Sequence, residues 1–94
     1  MTDITQTLVD YLYVRDHEMP AHRDAMEDLV AEHADEVRIM GKAATSPSLR
    51  KETHKRLSAM EAKIEEQRIM ILNLEYAQSG RIDAMVQYRK EATP

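Results

Sequence analysis

The chain has 94 residues, no Cys, no Trp and no Phe, and a formal net charge of −4. That length is one domain at most, and it lies near the lower limit at which a single core sustains a fold unaided. The missing cysteines exclude disulfide staples and thiolate metal sites, and point weakly to a reducing compartment. The mild negative charge argues against general nucleic-acid binding.

Two Gly and three Pro leave little material for turns, while Ala, Leu, Met, Glu, Lys, Arg and Gln dominate. These are strong helix formers, so the expectation is a single all-α domain over 1–94. The longest aliphatic run, Ile69-Met70-Ile71-Leu72, is far shorter than the roughly 18–20 residues that span a bilayer. The opening Met1-Thr2-Asp3-Ile4-Thr5 lacks the basic and apolar regions of a signal peptide, so the expected location is the cytoplasm.

A first short helix is expected near the N-terminus. Asp3 and Gln6 have capping-box spacing, and Ile4, Leu8, Tyr11 and Leu12 share one helical face. The run from Leu8 to Val14 is rich in β-formers, but a lone strand has nothing to pair with. This segment is expected to end before Pro20, because the residue preceding proline avoids the α region.

A second helix is predicted from Pro20, at its first turn, to about Ala44. Met26, Val30, His33, Val37, Met40 and Ala44 follow one another by alternating steps of four and three, which is a heptad seam. Asp24, Glu27 and Asp28 lie early in it and Arg38 and Lys42 late, in favour of the helix dipole. Gly41 is placed to loosen or end its last turn.

Thr45-Ser46-Pro47-Ser48 reads as the turn, with Ser46 as N-cap and Pro47 as first residue of a third helix. That helix is predicted to reach about Gln78, or to pass Gly80 to Lys90. Its seam is Leu49, Thr53, Leu57, Met60, Ile64 and Gln67. Set antiparallel, the two seams zip together: Ala44/Leu49, Met40/Thr53, Val37/Leu57, His33/Met60, Val30/Ile64 and Met26/Gln67 have residue numbers adding to 93 or 94. The fold expected is therefore an antiparallel helical hairpin, about 20–44 and 47–78 or longer, with coiled-coil-like packing and a short N-terminal helix.

The third helix outruns that hairpin. Seven of the nine residues from Ile69 to Ala77 are apolar. Ile71 and Leu74 continue the seam, while Ile69, Met70, Leu72 and Tyr76 point elsewhere around the helix. Leu74, Ile82, Met85, Val86 and Tyr88 also need cover. A helix apolar on every side is normally buried on every side. Ile69, Met70, Leu72, Tyr76, Ile82, Met85 and Val86 are therefore the candidate interface, toward a second copy or a protein partner. The methionines at 19, 26, 40, 60, 70 and 85 suit either a helical core or an adaptable interface.

Charge is segregated too. From Asp16 to Glu36 eight acids stand against the single base Arg23. From Arg38 to Arg56 six bases stand against Glu52. Arg50, Lys51, Lys55 and Arg56 gather at the turn end, where cations beside a helix N-terminus are disfavoured, and form a candidate contact for an anion or an acidic partner. No aromatics interleave with them, so single-stranded nucleic acid is not the expected target.

Catalytic and metal motifs are missing: there is no Glu-x-x-His pair, no Gly-rich phosphate loop and no nucleophile elbow. His33, on the apolar seam, reads as a buried polar residue that fixes register. In spacing, Leu29-Val30-Ala31-Glu32-His33 with Gly41-Lys42-Ala43 looks like the first helix of the small all-α chorismate mutases. That family has Arg where His33 stands, Lys where Ala44 stands, and acids near Thr53 and Leu57, so its functional residues are missing. The Ser-Pro-Ser turn followed by a long C-terminal helix resembles needle subunits and small co-chaperones of type III secretion, although Tyr88-Arg89-Lys90-Glu91 departs from a packed needle core.

The expectation is a non-enzymatic helical interaction protein, without cofactor, that self-associates and binds a macromolecular partner. Small acidic helical chains of this kind occur among phage and mobile-element inhibitors of host machinery. Two alternatives are a structural or co-chaperone subunit of a larger secretion- or virion-type assembly, and an oligomeric binder of small anionic ligands such as nucleotides.

Overall fold

A computed structural model describes residues 4–42 and 46–92, and every element among them is helical. Helix α1 spans Thr5–Tyr13, a π-helical turn spans Val14–Glu18, α2 spans Met19–Lys42 and α3 spans Pro47–Ala92. The all-α expectation and the antiparallel hairpin both stand. The contacts divide the chain into two compact units, one of residues up to His22 with those from Met70 onward, the other Arg23–Ile69.

In the second unit α2 and α3 form the expected hairpin. Ser46 caps α3: its Oγ accepts the Leu49 N–H at 3.5 Å, and its carbonyl accepts the Arg50 N–H at 3.0 Å. Pro47 follows at the first helical position, where its missing N–H costs nothing. Two bonds across the pair set the register. His33 Nε2 donates to Glu61 Oε1 at 3.1 Å, and Arg56 Nε to Glu36 Oε2 at 3.3 Å. Both lie within one residue of the pairing read from the seams. Ala44 and Thr45, at the expected closing pair and turn, lie outside the described residues.

The seam of α3 is as expected from Thr53 onward, whereas Leu49, its expected first position, is exposed in the first turn of the helix. Thr53 and Leu57 are buried, and Met60, Ile64 and Gln67 half-buried. Thr53 Oγ1 donates to the Leu49 carbonyl at 2.8 Å, so its hydroxyl enters the interior already satisfied. The seam of α2 differs. Met26, His33 and Met40 do face inward, but Leu29 and Glu36 alternate with them, and Val30 and Val37 remain exposed. The sevenfold spacing of Met26, His33 and Met40 is common to both readings. On this face the Glu36 carboxylate accepts a hydrogen bond from Arg56 of α3 across the pair.

In the first unit α1 lies against the C-terminal half of α3, and Gln78 Nε2 donates to the Tyr11 carbonyl at 2.9 Å. The inward positions of α1 are Ile4, Thr7, Tyr11 and the buried Val14. Leu8 and Leu12, expected on that face, are exposed instead. The N-cap of α1 is Ile4, without a side-chain cap. Asp3 lies outside the described residues, and Gln6 donates to Asp10 Oδ1 at 2.8 Å rather than serving a capping box.

Pro20 does not end the first helical segment. The chain passes from α1 into α2 without a loop, by way of the π turn, where the Met19 N–H reaches back five residues to the Val14 carbonyl. Proline removes one helical donor, and its ring crowds the carbonyl four residues earlier, here that of Asp16. A wider turn placed just before it relieves that crowding. The turn also absorbs one residue. Val14 and Met19, five apart, are therefore both buried on the inward side.

Gly80 does not interrupt α3 either, and its backbone faces open space. Inward positions continue at Ile71, Leu74, Gln78, Arg81 and Met85, all spaced by three or four. α2 likewise runs through Gly41 to Lys42.

Candidate functional site

Burial is sparse. Among the described residues only Val14, Met19 and Leu57 are buried apolar side chains, whereas fifteen large hydrophobic side chains are exposed.

Of the seven interface candidates, six are exposed: Ile69, Met70, Leu72, Tyr76, Ile82 and Val86. Met85 is half-buried on the seam. In the first unit, Leu72 and Tyr76 are four apart on the outer side of α3, away from α1. Tyr76, at 84% exposure, is the most accessible large apolar side chain among the described residues. Ile82 stands in the column bordering the seam, and Val86, 14 residues after Leu72, in the same outer column as Leu72. Met70 borders the seam on the other side. Ile69 is exposed at the end of the second unit. Leu8, Val9, Leu12 and Tyr13 add apolar surface on α1 that the sequence reading did not single out. Their signal was available, since Leu8 and Leu12 leave the seam once Val14 is taken as inward.

The basic end is partly neutralised. Arg56 is drawn into the hairpin by Glu36, with a further contact from its Nη2 to Thr53 Oγ1 at 3.4 Å. Arg50, Lys51 and Lys55 are exposed. A shallow depression on α2 is lined by Asp35, Arg38, Ile39 and Lys42, and Arg38 is ion-paired with Asp35.

Two exposed pairs shift their partners' titration. Arg68, hydrogen-bonded to Glu65, holds that carboxyl below the usual carboxylate range. Arg15 does the same for Asp16 beside the π turn, Nε to Oδ1 at 2.9 Å, and its guanidinium carbon lies 5.9 Å from the centre of the Tyr11 ring. Among the described residues no group of three His, Cys, Asp or Glu is placed to hold a metal, and no helix is long and apolar enough to cross a membrane.

These features define a helical hairpin with excess exposed apolar surface. No family model, no curated protein and no solved structure matches the chain.

Proposed function

We propose that the protein is a non-enzymatic helical interaction module, which self-associates and presents an outer apolar face to a macromolecular partner. The observation that carries this reading is the contrast, among the described residues, between three buried apolar side chains and fifteen exposed large ones. Monomeric proteins rarely leave contiguous apolar surface uncovered, and association is the usual outcome.

Tyr76, with Leu72 beside it, supports a second engagement. A tyrosine combines large contact area with little rotamer entropy to lose, which suits an anchor in a partner's pocket. An inhibitor of phage or mobile-element type, or a subunit of a larger assembly, would each use such a face.

Light scattering at micromolar concentration tests self-association, and a clean 10.9 kDa mass refutes it. Affinity purification with wild-type and Tyr76→Arg baits tests the outer face. A protein retained by the first and lost from the second is expected; equal retention overturns the assignment of Tyr76.

A further inference from the structure

We propose that α1 is a two-position helix, able to pack on α3 through either of two apolar columns, and that the π turn at Val14–Glu18 holds it in the position observed, with Leu8 and Leu12 outward. Neither position requires a second copy of the chain.

This stretch of helix is apolar on more than one side. Ile4, Tyr11 and Val14 face inward with Thr7 among them, while Leu8, Val9, Leu12 and Tyr13 are exposed. The π turn decides between these sets. Met19 is buried, and a regular helix read backward from it in steps of four and three reaches Arg15, Leu12 and Leu8. The π turn inserts one residue, so the inward column is Val14, Tyr11, Thr7 and Ile4 instead. One residue corresponds to about 100° of helix rotation. Moving the extra residue out of the turn therefore exchanges the columns: Leu8 and Leu12 turn inward and Val14 and Thr7 outward, with Met19 kept in place.

Three features bias the exchange toward the observed position. A regular turn carries Arg15 inward, and a guanidinium is costly to bury. In the observed position Arg15 stays at the surface, bonded to Asp16 at 2.9 Å and set over the Tyr11 ring. A regular turn also restores the crowding between the Pro20 ring and the Asp16 carbonyl. Finally, Gln78 donates to the Tyr11 carbonyl at 2.9 Å, and the rotation takes that carbonyl out of its reach. Against these, the exchanged column brings in two leucines, Leu8 and Leu12, that are now exposed. Opposed terms of this kind make a two-state element. A ligand that contacts Leu8 and Leu12 binds one position only, so its binding is coupled to the packing of α1.

Arg15→Leu removes the charge that the exchanged column would bury, and Pro20→Ala removes the crowding. The chain has no Cys, so labelling of a single introduced thiol reports which column is outward. In the otherwise wild-type chain, Leu12→Cys is expected to be labelled at least tenfold faster than Val14→Cys. With Arg15→Leu and Pro20→Ala together, the order is expected to reverse. An unchanged order in that background, with helicity retained by circular dichroism, overturns the proposal. If the doubly substituted chain loses helicity, Arg15→Leu alone replaces it. That variant is expected to speed labelling of Val14→Cys at least tenfold without lowering Tm. Labelling that is unchanged or slower, or faster only with a lowered Tm, overturns the proposal.

Discussion

Gln78 is a polar residue in a seam position, and Gln78→Met tests what it does there. Its amide is 9% exposed and spans two elements: Nε2 donates to the Tyr11 carbonyl at 2.9 Å, and Oε1 accepts from Arg81 Nη1 at 2.8 Å. The Tyr11 carbonyl lies at the entry to the π turn, where the regular ladder is broken and the Val14 N–H divides between Asp10 and Tyr11. Methionine keeps the volume, so little cavity cost is expected, but it supplies no donor. One net hydrogen bond contributes about 0.5–1.5 kcal/mol, and a part-buried one to a charged group somewhat more. The Tyr11 carbonyl keeps its bond from Val14, which limits the penalty, and the apolar side chain recovers part of it. The expected loss is about 1–2 kcal/mol, or a fall in Tm of very roughly 5–15 °C for a chain this size. The assay is thermal unfolding by circular dichroism at fixed protein concentration, because the proposed self-association would make Tm concentration-dependent. Amide exchange at Val14 and Met19 should quicken in the variant. An unchanged or higher Tm would refute the argument and reduce Gln78 to a tolerated polar residue.

Other substitutions probe the remaining supports. Leu57→Ala removes one of the three buried apolar side chains among the described residues and should cost about 2–4 kcal/mol, read from urea unfolding. Gly80→Ala should stabilise the protein by about 0.5–1 kcal/mol in the same assay, since the new methyl meets open space inside a continuous helix. Arg68→Gln should raise the Glu65 carboxyl toward its ordinary value, followed by NMR titration. The sign follows from the lowered value in the folded protein: the pair stabilises above the carboxylate range, and that contribution is lost as pH falls through it. Both groups are exposed, so the titration should move with little change in stability.

The hairpin was legible because its information is local and repeated. α3 carries a three-four spacing from Thr53 to Met85, and the short connection at Ser46-Pro47 forces its partner to lie antiparallel. The candidate interface residues on α3 followed from the same pattern, as apolar residues outside the seam. The inward face of α2 was less legible. Met26, His33 and Met40 fit two neighbouring columns, and the structure takes the one that brings Leu29 and Glu36 inward, with Glu36 bonded to Arg56, and leaves Val30 and Val37 outside.

The passage through Pro20 was not legible at all. Read residue by residue, proline after a β-rich stretch signals a boundary. The helix continues because a π turn before Pro20 accommodates the ring, and because Gln78, 67 residues from Tyr11 in the chain, supplies a donor beside that turn. The extra residue in that turn keeps Val14 and Met19 on the same side, and with Val14 inward Leu8 and Leu12 face outward. By itself, then, the sequence determined that the chain is helical, where it reverses, and that α3 is more apolar than one partner helix can cover. Tertiary structure decided which sides of α1 and α2 face inward, because helix phase depends on a single extra residue in one turn and on bonds between segments far apart in the chain.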